Sequence, residues 1–173
     1  MDLERYIRDV PDFPKPGIIF KDITPLLADP AALAAAADHL AEPYADAGVD
    51  VVAGIESRGF IFGALVAERL SAGFVPVRKP GKLPCETVAA SYELEYGTDT
   101  VEMHRDAVAE GHKVLVVDDL IATGGSLAAA CKLIGQCSGQ IVGISLLIEL
   151  CFLNGRAKLD KYDVHTLIQV AGE

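Results

Sequence analysis

The sequence predicts an α/β fold: an open, mainly parallel twisted sheet flanked by helices, with a flexible flap over the site. Three observations predict it. Short apolar runs alternate with helical segments along most of the 173 residues. The strand candidates are near-continuous runs of Val, Ile and Leu, which suits strands buried on both faces. The alternation is broken once, between residues 79 and 103, where Pro80, Gly81, Pro84 and Gly97 surround the alternating stretch Ala90-Ser91-Tyr92-Glu93-Leu94-Glu95-Tyr96. That interruption reads as a loose hairpin standing outside the central sheet.

The elements follow in order. Asp29-Pro30 is a helix start, with Asp as N-cap and Pro at the first helical position, and the Ala-rich run 31–47 is a helix ended by Gly48. Residues 50–55 form a short buried strand. Residues 58–71 form a helix stopped by Gly73, and residues 74–77 a strand whose Pro76 limits ladder pairing. Residues 113–117 are a strongly apolar strand, 126–134 a helix, 140–148 another apolar strand and 162–168 a last one. No repeat, low-complexity tract or linker divides the chain, so 1–173 is expected to be a single domain.

Composition narrows the function classes. Apolar residues make up 51% of the chain, which argues against disorder, yet no apolar run approaches the ~18 residues of a membrane helix. Met1–Val10 carries Asp2, Glu4, Arg5, Arg8 and Asp9 and lacks the apolar stretch of a secretory signal, so a cytoplasmic location and no membrane partner are expected. Cys85, Cys131, Cys137 and Cys151 show no CxxC spacing and no paired histidines, which reads as free thiols and no zinc site. A net charge of -10 opposes nucleic-acid binding. It does not oppose an anionic small molecule, because a local basic cluster can reverse the potential within one cleft.

The most informative stretch is Val114-Leu115-Val116-Val117-Asp118-Asp119-Leu120-Ile121-Ala122-Thr123-Gly124-Gly125-Ser126. An apolar strand is followed by two acids and a Gly-containing turn that opens a helix. In an open parallel sheet, ligands bind beyond the carboxyl ends of the strands, where Asp118 and Asp119 would stand. The turn Ala122-Thr123-Gly124-Gly125-Ser126 would offer backbone N–H groups at a helix N-terminus, an anion site suited to phosphate. A phosphate beside two carboxylates makes sense for a ribose 5-phosphate, with the acids accepting hydrogen bonds from the 2′ and 3′ hydroxyls. Arg58 also follows a strand, and its bidentate fork suits pyrophosphate. Arg78, Lys79 and Lys82 form the densest basic cluster in an acidic chain. As a charge run it could be a solvated loop, but its place after a strand favours an anion ligand.

The segment Val116–Ser126 resembles the phosphoribosyl-pyrophosphate signature of the type I phosphoribosyltransferases. Phe13-Pro14-Lys15-Pro16-Gly17-Ile18-Ile19-Phe20-Lys21-Asp22-Ile23, Glu56-Ser57-Arg58-Gly59-Phe60, Val77-Arg78-Lys79-Pro80-Gly81-Lys82-Leu83-Pro84 and Leu94-Glu95-Tyr96-Gly97 resemble motifs of the adenine-specific branch, in consistent order from about Arg8 to Ile168. The resemblance implies the type I phosphoribosyltransferase fold, with residues 8–27 adding a hood over the base and residues 80–104 forming the flap. It implies formation of AMP and pyrophosphate from adenine and phosphoribosyl pyrophosphate, with Mg²⁺ carried by the substrate and no protein cage for the metal.

Residue by residue, it implies that Asp118 and Asp119 hold the ribose hydroxyls and that residues 122–126 hold the 5′-phosphate. Ser57, Arg58, Arg78, Lys79 and Lys82 would hold pyrophosphate, some of them across a homodimer. Glu95, beside Tyr96 on the flap, would be the acid or base at adenine N7. Backbone of Ile19 and Lys21 would read the adenine edge while Leu150 packs on the ring. Xanthine is an alternative base, and a regulator that senses phosphoribosyl pyrophosphate without turnover an alternative class. Such a regulator would need an added nucleic-acid-binding module, and with an acidic charge and about a dozen residues ahead of the first motif it is expected less than the enzyme.

Overall fold

The computed structural model describes residues 1–94 and 97–172. After a 3₁₀ turn at Leu3–Tyr6, β1 (Arg8–Pro11) and β2 (Ile19–Asp22) form an antiparallel hairpin in register Asp9 to Lys21 and Val10 to Phe20. A short helix that the sequence reading did not anticipate, α1 (Thr24–Ala28), follows with Pro25 in its first turn. Asp29 then caps α2 (Pro30–Ala41) as expected, its carboxylate accepting from the Ala31 and Ala32 N–H groups at 3.0 and 2.9 Å. The helix does not run to residue 47. Glu42–Tyr44 tighten into a 3₁₀ turn, because Pro43 has no N–H to continue the α-ladder.

β3 (Val51–Ile55), α3 (Gly59–Arg69) and β4 (Gly73–Val77) come next. Here Gly73 does not stop the helix; Ser71 makes the reversal at φ 52°, and Gly73 opens the strand. β5 (Thr87–Glu93) and β6 (Thr98–His104) pair antiparallel as a separate two-stranded sheet. β7 (Lys113–Ile121) is longer than expected, so Asp118 and Asp119 lie inside its last turn of pleat rather than just beyond it. It is held straight there by β8 alongside, with Leu120 opposite Ile148. α4 (Gly125–Gln136), β8 (Gln140–Leu150), two 3₁₀ turns at Cys151–Leu153 and Gly155–Leu159, and β9 (Val164–Val170) complete the chain.

The central sheet is parallel in the order β4-β3-β7-β8-β9. Pro76 is tolerated because β4 is an edge strand. Strand alternation splits the apolar residues between two faces. Val51, Ala53, Val114, Val116, Ile144 and Leu146 pack with Leu127, Ala130, Leu133 and Ile134 of α4. Val52, Leu115, Val117 and Leu147 pack with Leu40 of α2 and Phe62 and Val66 of α3. Each large side chain so buried contributes about 1.5–3 kcal/mol. The root of the β5–β6 hairpin belongs to the first of these cores, through buried Val88, Ala90, Val101 and Met103. That root is therefore part of the packed body, and only the tip can act as a flap.

The four cysteines are free thiols; Cys131 is buried on α4, where burial pushes its thiol up to about 12, and Cys137 ends that helix. Among the described residues no helix is long and apolar enough to cross a membrane.

Candidate active site

Sheet order locates the site. The chain passes from β3 to β4 on one side, then crosses back to place β7 on the other side of β3. β3 and β7 thus flank the point where strand order reverses, and a ligand crevice is expected beyond their carboxyl ends. A cavity of about 390 Å³ lies there, lined by Phe20, Ile55, Glu56, Ser57, Arg58, Lys79, Tyr92, Val101, Asp118, Asp119 and Ser126. A recess of about 200 Å³ shares Tyr92 and Ser126 with it and is lined by residues 120–127. A larger cavity, about 470 Å³, lies between the N-terminus and β9. It presents Asp2, Glu4 and Glu42 but no Lys or Arg, which makes it a poor place for an anion.

Residues 122–126 form the turn from β7 into α4. Gly124 is left-handed at φ 75° and is the residue from which α4 starts, so the helix opens one residue before Ser126. No side chain caps that end. Its first N–H groups and the positive end of a 12-residue helix therefore face the recess. Gly125 lies against the Tyr92 ring so closely that a Cβ there would come within 2.8 Å of it, which ties the turn to the hairpin.

Asp118 and Asp119 are both buried. Asp118 Oδ1 accepts from the Asp119 N–H at 2.9 Å. Gly59 lets α3 start against this carboxylate, since a Cβ at that position would come within 2.6 Å of Asp118 Oδ1. Burial, and then the neighbouring Asp119 charge, push the Asp118 carboxyl well above the usual carboxylate range. Burial also raises Asp119, against the pull of Arg58. Arg58 Nη2 lies 2.7 Å from Asp119 Oδ2 as an ion pair, and among the described residues no group hydrogen-bonds this buried oxygen. An ion pair is present while acceptor capacity is left over, as a hydroxyl-bearing ligand requires. Arg58, at the start of α3, thus has Asp119 as its anion within the protein. On its other side Arg58 lies over the Phe20 ring, 5.0 Å from the centroid.

The basic cluster is more organised than its spacing suggested. Lys82 Nζ donates to Glu56 Oε1 at 2.5 Å, the Lys79 N–H donates to Glu56 Oε2 at 3.0 Å, and Arg78 Nε donates to the same oxygen at 3.3 Å. Burial alone would raise the Glu56 carboxyl, but these three donors outweigh it and hold Glu56 at about 2. Lys79 Nζ is bound by the Tyr92 hydroxyl at 2.9 Å and by Asp99 Oδ2. Of the three predicted cations only Lys79 lines the cavity, alongside Ser57 and Arg58; Arg78 and Lys82 are held just behind it by Glu56.

The residues expected at the base are placed less directly. Ile19 and Lys21 flank Phe20 on β2, but the Lys21 side chain leaves the cavity to pair with Asp9 at 2.6 Å. Leu150 ends β8 and packs against the α2–α3 core; the structure does not bring it into the cavity lining. Glu95 and Tyr96 lie outside the described residues. Sequence reasoning gave no role to Phe20, Glu56, Tyr92 or Asp99. Phe20 and Glu56 sat inside motifs already singled out, and three cations in five residues required a counter-ion, so Glu56 was within reach. Asp99 carried no signal, being joined to Lys79 only by the hairpin. Among the described residues no group of three or more His, Cys, Asp or Glu side chains could hold a metal ion.

Residues 22–170 match the phosphoribosyl transferase domain family. The chain is 59% identical over 168 residues to an adenine phosphoribosyltransferase of Thermobifida fusca, covering 97% of this chain and 96% of the relative. The crystal structure of adenine phosphoribosyltransferase from Thermoanaerobacter pseudethanolicus superposes with a TM-score of 0.95 at 53% identity, over 98% of both chains. That of the Saccharomyces cerevisiae enzyme, complexed with an imino-altritol bisphosphate and adenine, superposes with a TM-score of 0.90 at 43% identity, over 95% of this chain and 96% of that one. The turn, the acid pair and the arginine therefore occur in a known setting: this chain belongs to the phosphoribosyltransferase family, in its adenine phosphoribosyltransferase branch.

Proposed function

We infer that the chain is a pentosyltransferase that joins adenine to phosphoribosyl pyrophosphate, giving AMP and pyrophosphate in purine salvage. The observation that carries this reading is the meeting, at one switch point, of an uncapped helix start, a buried acid pair with a donor-free oxygen, and an arginine stacked on an aromatic ring.

In the reaction the C1′–O bond to pyrophosphate breaks and the C1′–N9 bond to adenine forms; the N9 proton leaves through the base. The turn 122–126 would bind the 5′-phosphate, and Asp118 and Asp119 the ribose hydroxyls. Their negative field would favour positive charge developing on the sugar ring. Ser57, Arg58 and Lys79 would meet the pyrophosphate, with Arg78 and Lys82 joining as it draws them from Glu56. In a homodimer one or more of these basic residues would reach the neighbouring site. Glu95 would manage the proton at adenine N7, and the hairpin tip with Tyr96 would exclude water. The outer edge of β2 has no strand partner among the described residues, so the backbone of Ile19 and Lys21 is available to read the adenine edge; Leu150 would pack on the ring. A 6-oxopurine reverses both hydrogen bonds, at about 1–3 kcal/mol for each buried group left unpaired. Magnesium suits the hard oxygens of the site only as an ion borne by the substrate, where it would neutralise the leaving group. A cytoplasmic location fits this chemistry.

The test is product analysis with phosphoribosyl pyrophosphate, Mg²⁺ and one purine at a time. AMP from adenine, with hypoxanthine, guanine and xanthine inert, supports the reading. IMP, GMP or XMP formation would discard the adenine assignment, and no product beside tight phosphoribosyl pyrophosphate binding would point to a sensor.

A further inference from the structure

The phosphate turn has a backbone neighbour outside every motif so far discussed. After β8 the chain reverses at Asn154, left-handed at φ 50°, and Gly155 opens the 3₁₀ turn Gly155–Leu159. Gly155 is buried directly behind the turn 122–126. A Cβ on Gly155 would lie 2.2 Å from the Ala122 carbonyl oxygen and 2.9 Å from the Gly124 nitrogen. The contact is reciprocal, for a Cβ on Gly124 would lie 2.4 Å from the Gly155 carbonyl oxygen. The φ of Gly155 is not in the left-handed region, so space rather than backbone conformation demands glycine there. The next residue anchors the segment: Arg156 donates to both oxygens of the buried Glu149 carboxylate at 3.0 and 2.5 Å and to the Val164 carbonyl at 2.7 Å. Glu149 is on β8, so the segment behind the turn is fixed to the sheet itself.

We propose that Gly155 is a positioning residue for the 5′-phosphate: its bare Cα is the backstop that sets the Ala122–Gly124 backbone, and the Arg156–Glu149 bridge holds the backstop in place. This rests on the assignment of residues 122–126 to the 5′-phosphate. A methyl group at Gly155 meets backbone on one side and an anchored segment on the other, so the turn must move and its N–H groups lose their common focus. The base edge would be read from β2 and the ribose hydroxyls held by Asp118 and Asp119, none of which is among the atoms nearest a Cβ on Gly155.

The measurement is the affinity of AMP and of adenosine, by titration calorimetry on the full-length wild type, Gly155→Ala and Arg156→Lys, with thermal unfolding recorded for each. Gly135→Ala is the control, since a Cβ there meets nothing within 4 Å. Gly155→Ala is expected to weaken AMP by about tenfold or more and adenosine by less than about twofold, with KM rising for phosphoribosyl pyrophosphate and not for adenine. Arg156→Lys keeps the charge but loses the fork, and is expected to show the same selective loss more weakly; if Gly155→Ala does not fold, Arg156→Lys decides. Equal weakening of AMP and adenosine, or unchanged AMP affinity, would overturn the positioning role. A wild type that binds AMP no better than adenosine would instead overturn the phosphate assignment beneath it.

Discussion

Asp119 does the most with the fewest neighbours. Its buried Oδ2 has a cation beside it and no hydrogen-bond partner among the described residues, an acceptor that a ribose hydroxyl would satisfy. Asp119→Asn removes the charge from both the Arg58 pair and the ribose contact, and turnover is expected to fall by roughly a hundredfold or more through misplacement of the sugar. Steady-state kinetics check this; wild-type kcat in a folded variant would remove the ribose role. Asp118 differs. Its carboxyl is raised by burial and by the Asp119 charge, so the fold disfavours its charged form. Asp118→Asn is therefore expected to stabilise the protein at pH 7 by about 0.5–2 kcal/mol while lowering activity, seen as a higher Tm beside a lower kcat/KM. The acid pair and the glycine turn were legible in the sequence because their chemistry is local. Glu56 was within reach as the counter-ion of three clustered cations, but Asp99 was not, because its partner Lys79 lies 20 residues away and nothing local encodes the meeting.

At the scale of elements, the apolar strands were legible from their unbroken runs, and most differ from expectation only at their ends. Those ends moved for physical reasons: Pro43 cut α2 short, and β8 prolonged β7 by pairing with it. The hairpin was expected outside the sheet and is, but alternation along β5 and β6 also sends Val88, Ala90, Val101 and Met103 into the core. Lys79 joins this hairpin to the basic loop through Tyr92 and Asp99, and it lines the cavity as well. One side chain would thus couple leaving-group binding to hairpin position. Lys79→Met is expected to raise KM for phosphoribosyl pyrophosphate by about tenfold or more, the scale of a lost charged hydrogen bond, with adenine KM little changed. It is also expected to speed proteolytic cleavage within residues 85–104 in the absence of substrate, as the hairpin loses its outer anchor. Unchanged cleavage would mean that the packed root alone fixes the hairpin.

Across the whole molecule, alternation of strand and helix announced a parallel sheet, but not the order β4-β3-β7-β8-β9, which depends on where the chain crosses back over β3. That crossing brings carboxylates into two opposite situations, and the pH dependence of stability follows from both. Glu56 and Glu149 are mostly buried and held below their usual range by bound cations, Glu56 at about 2 against an ordinary 4.5. A carboxylate lowered by folding contributes stability that is complete above its unfolded value and is lost as pH falls through its folded one. Glu56 therefore supports the fold above about pH 4.5 and withdraws that support toward about pH 2, and Glu149 contributes with the same sign as pH falls below its ordinary value. Asp118 and Asp119 are raised, which reverses the sign. The folded state takes up their protons more readily than the unfolded chain, so stability grows as pH falls through their raised folded-state values toward the ordinary aspartate value of 3.8. The sum is a Tm that rises on mild acidification before it collapses in stronger acid. Loss of net charge toward the pI of about 4.8 pushes the same way, so wild-type data alone would not separate the two causes. Asp118→Asn with Asp119→Asn separates them. The double variant is expected to keep the collapse toward pH 2 while losing most of the rise between pH 7 and 4.5. Differential scanning calorimetry at fixed ionic strength reads both limbs. A rise that survives intact in the double variant would assign it to global charge, and the acid pair would then have to be ionised in the free protein, ready for a ligand without first giving up a proton.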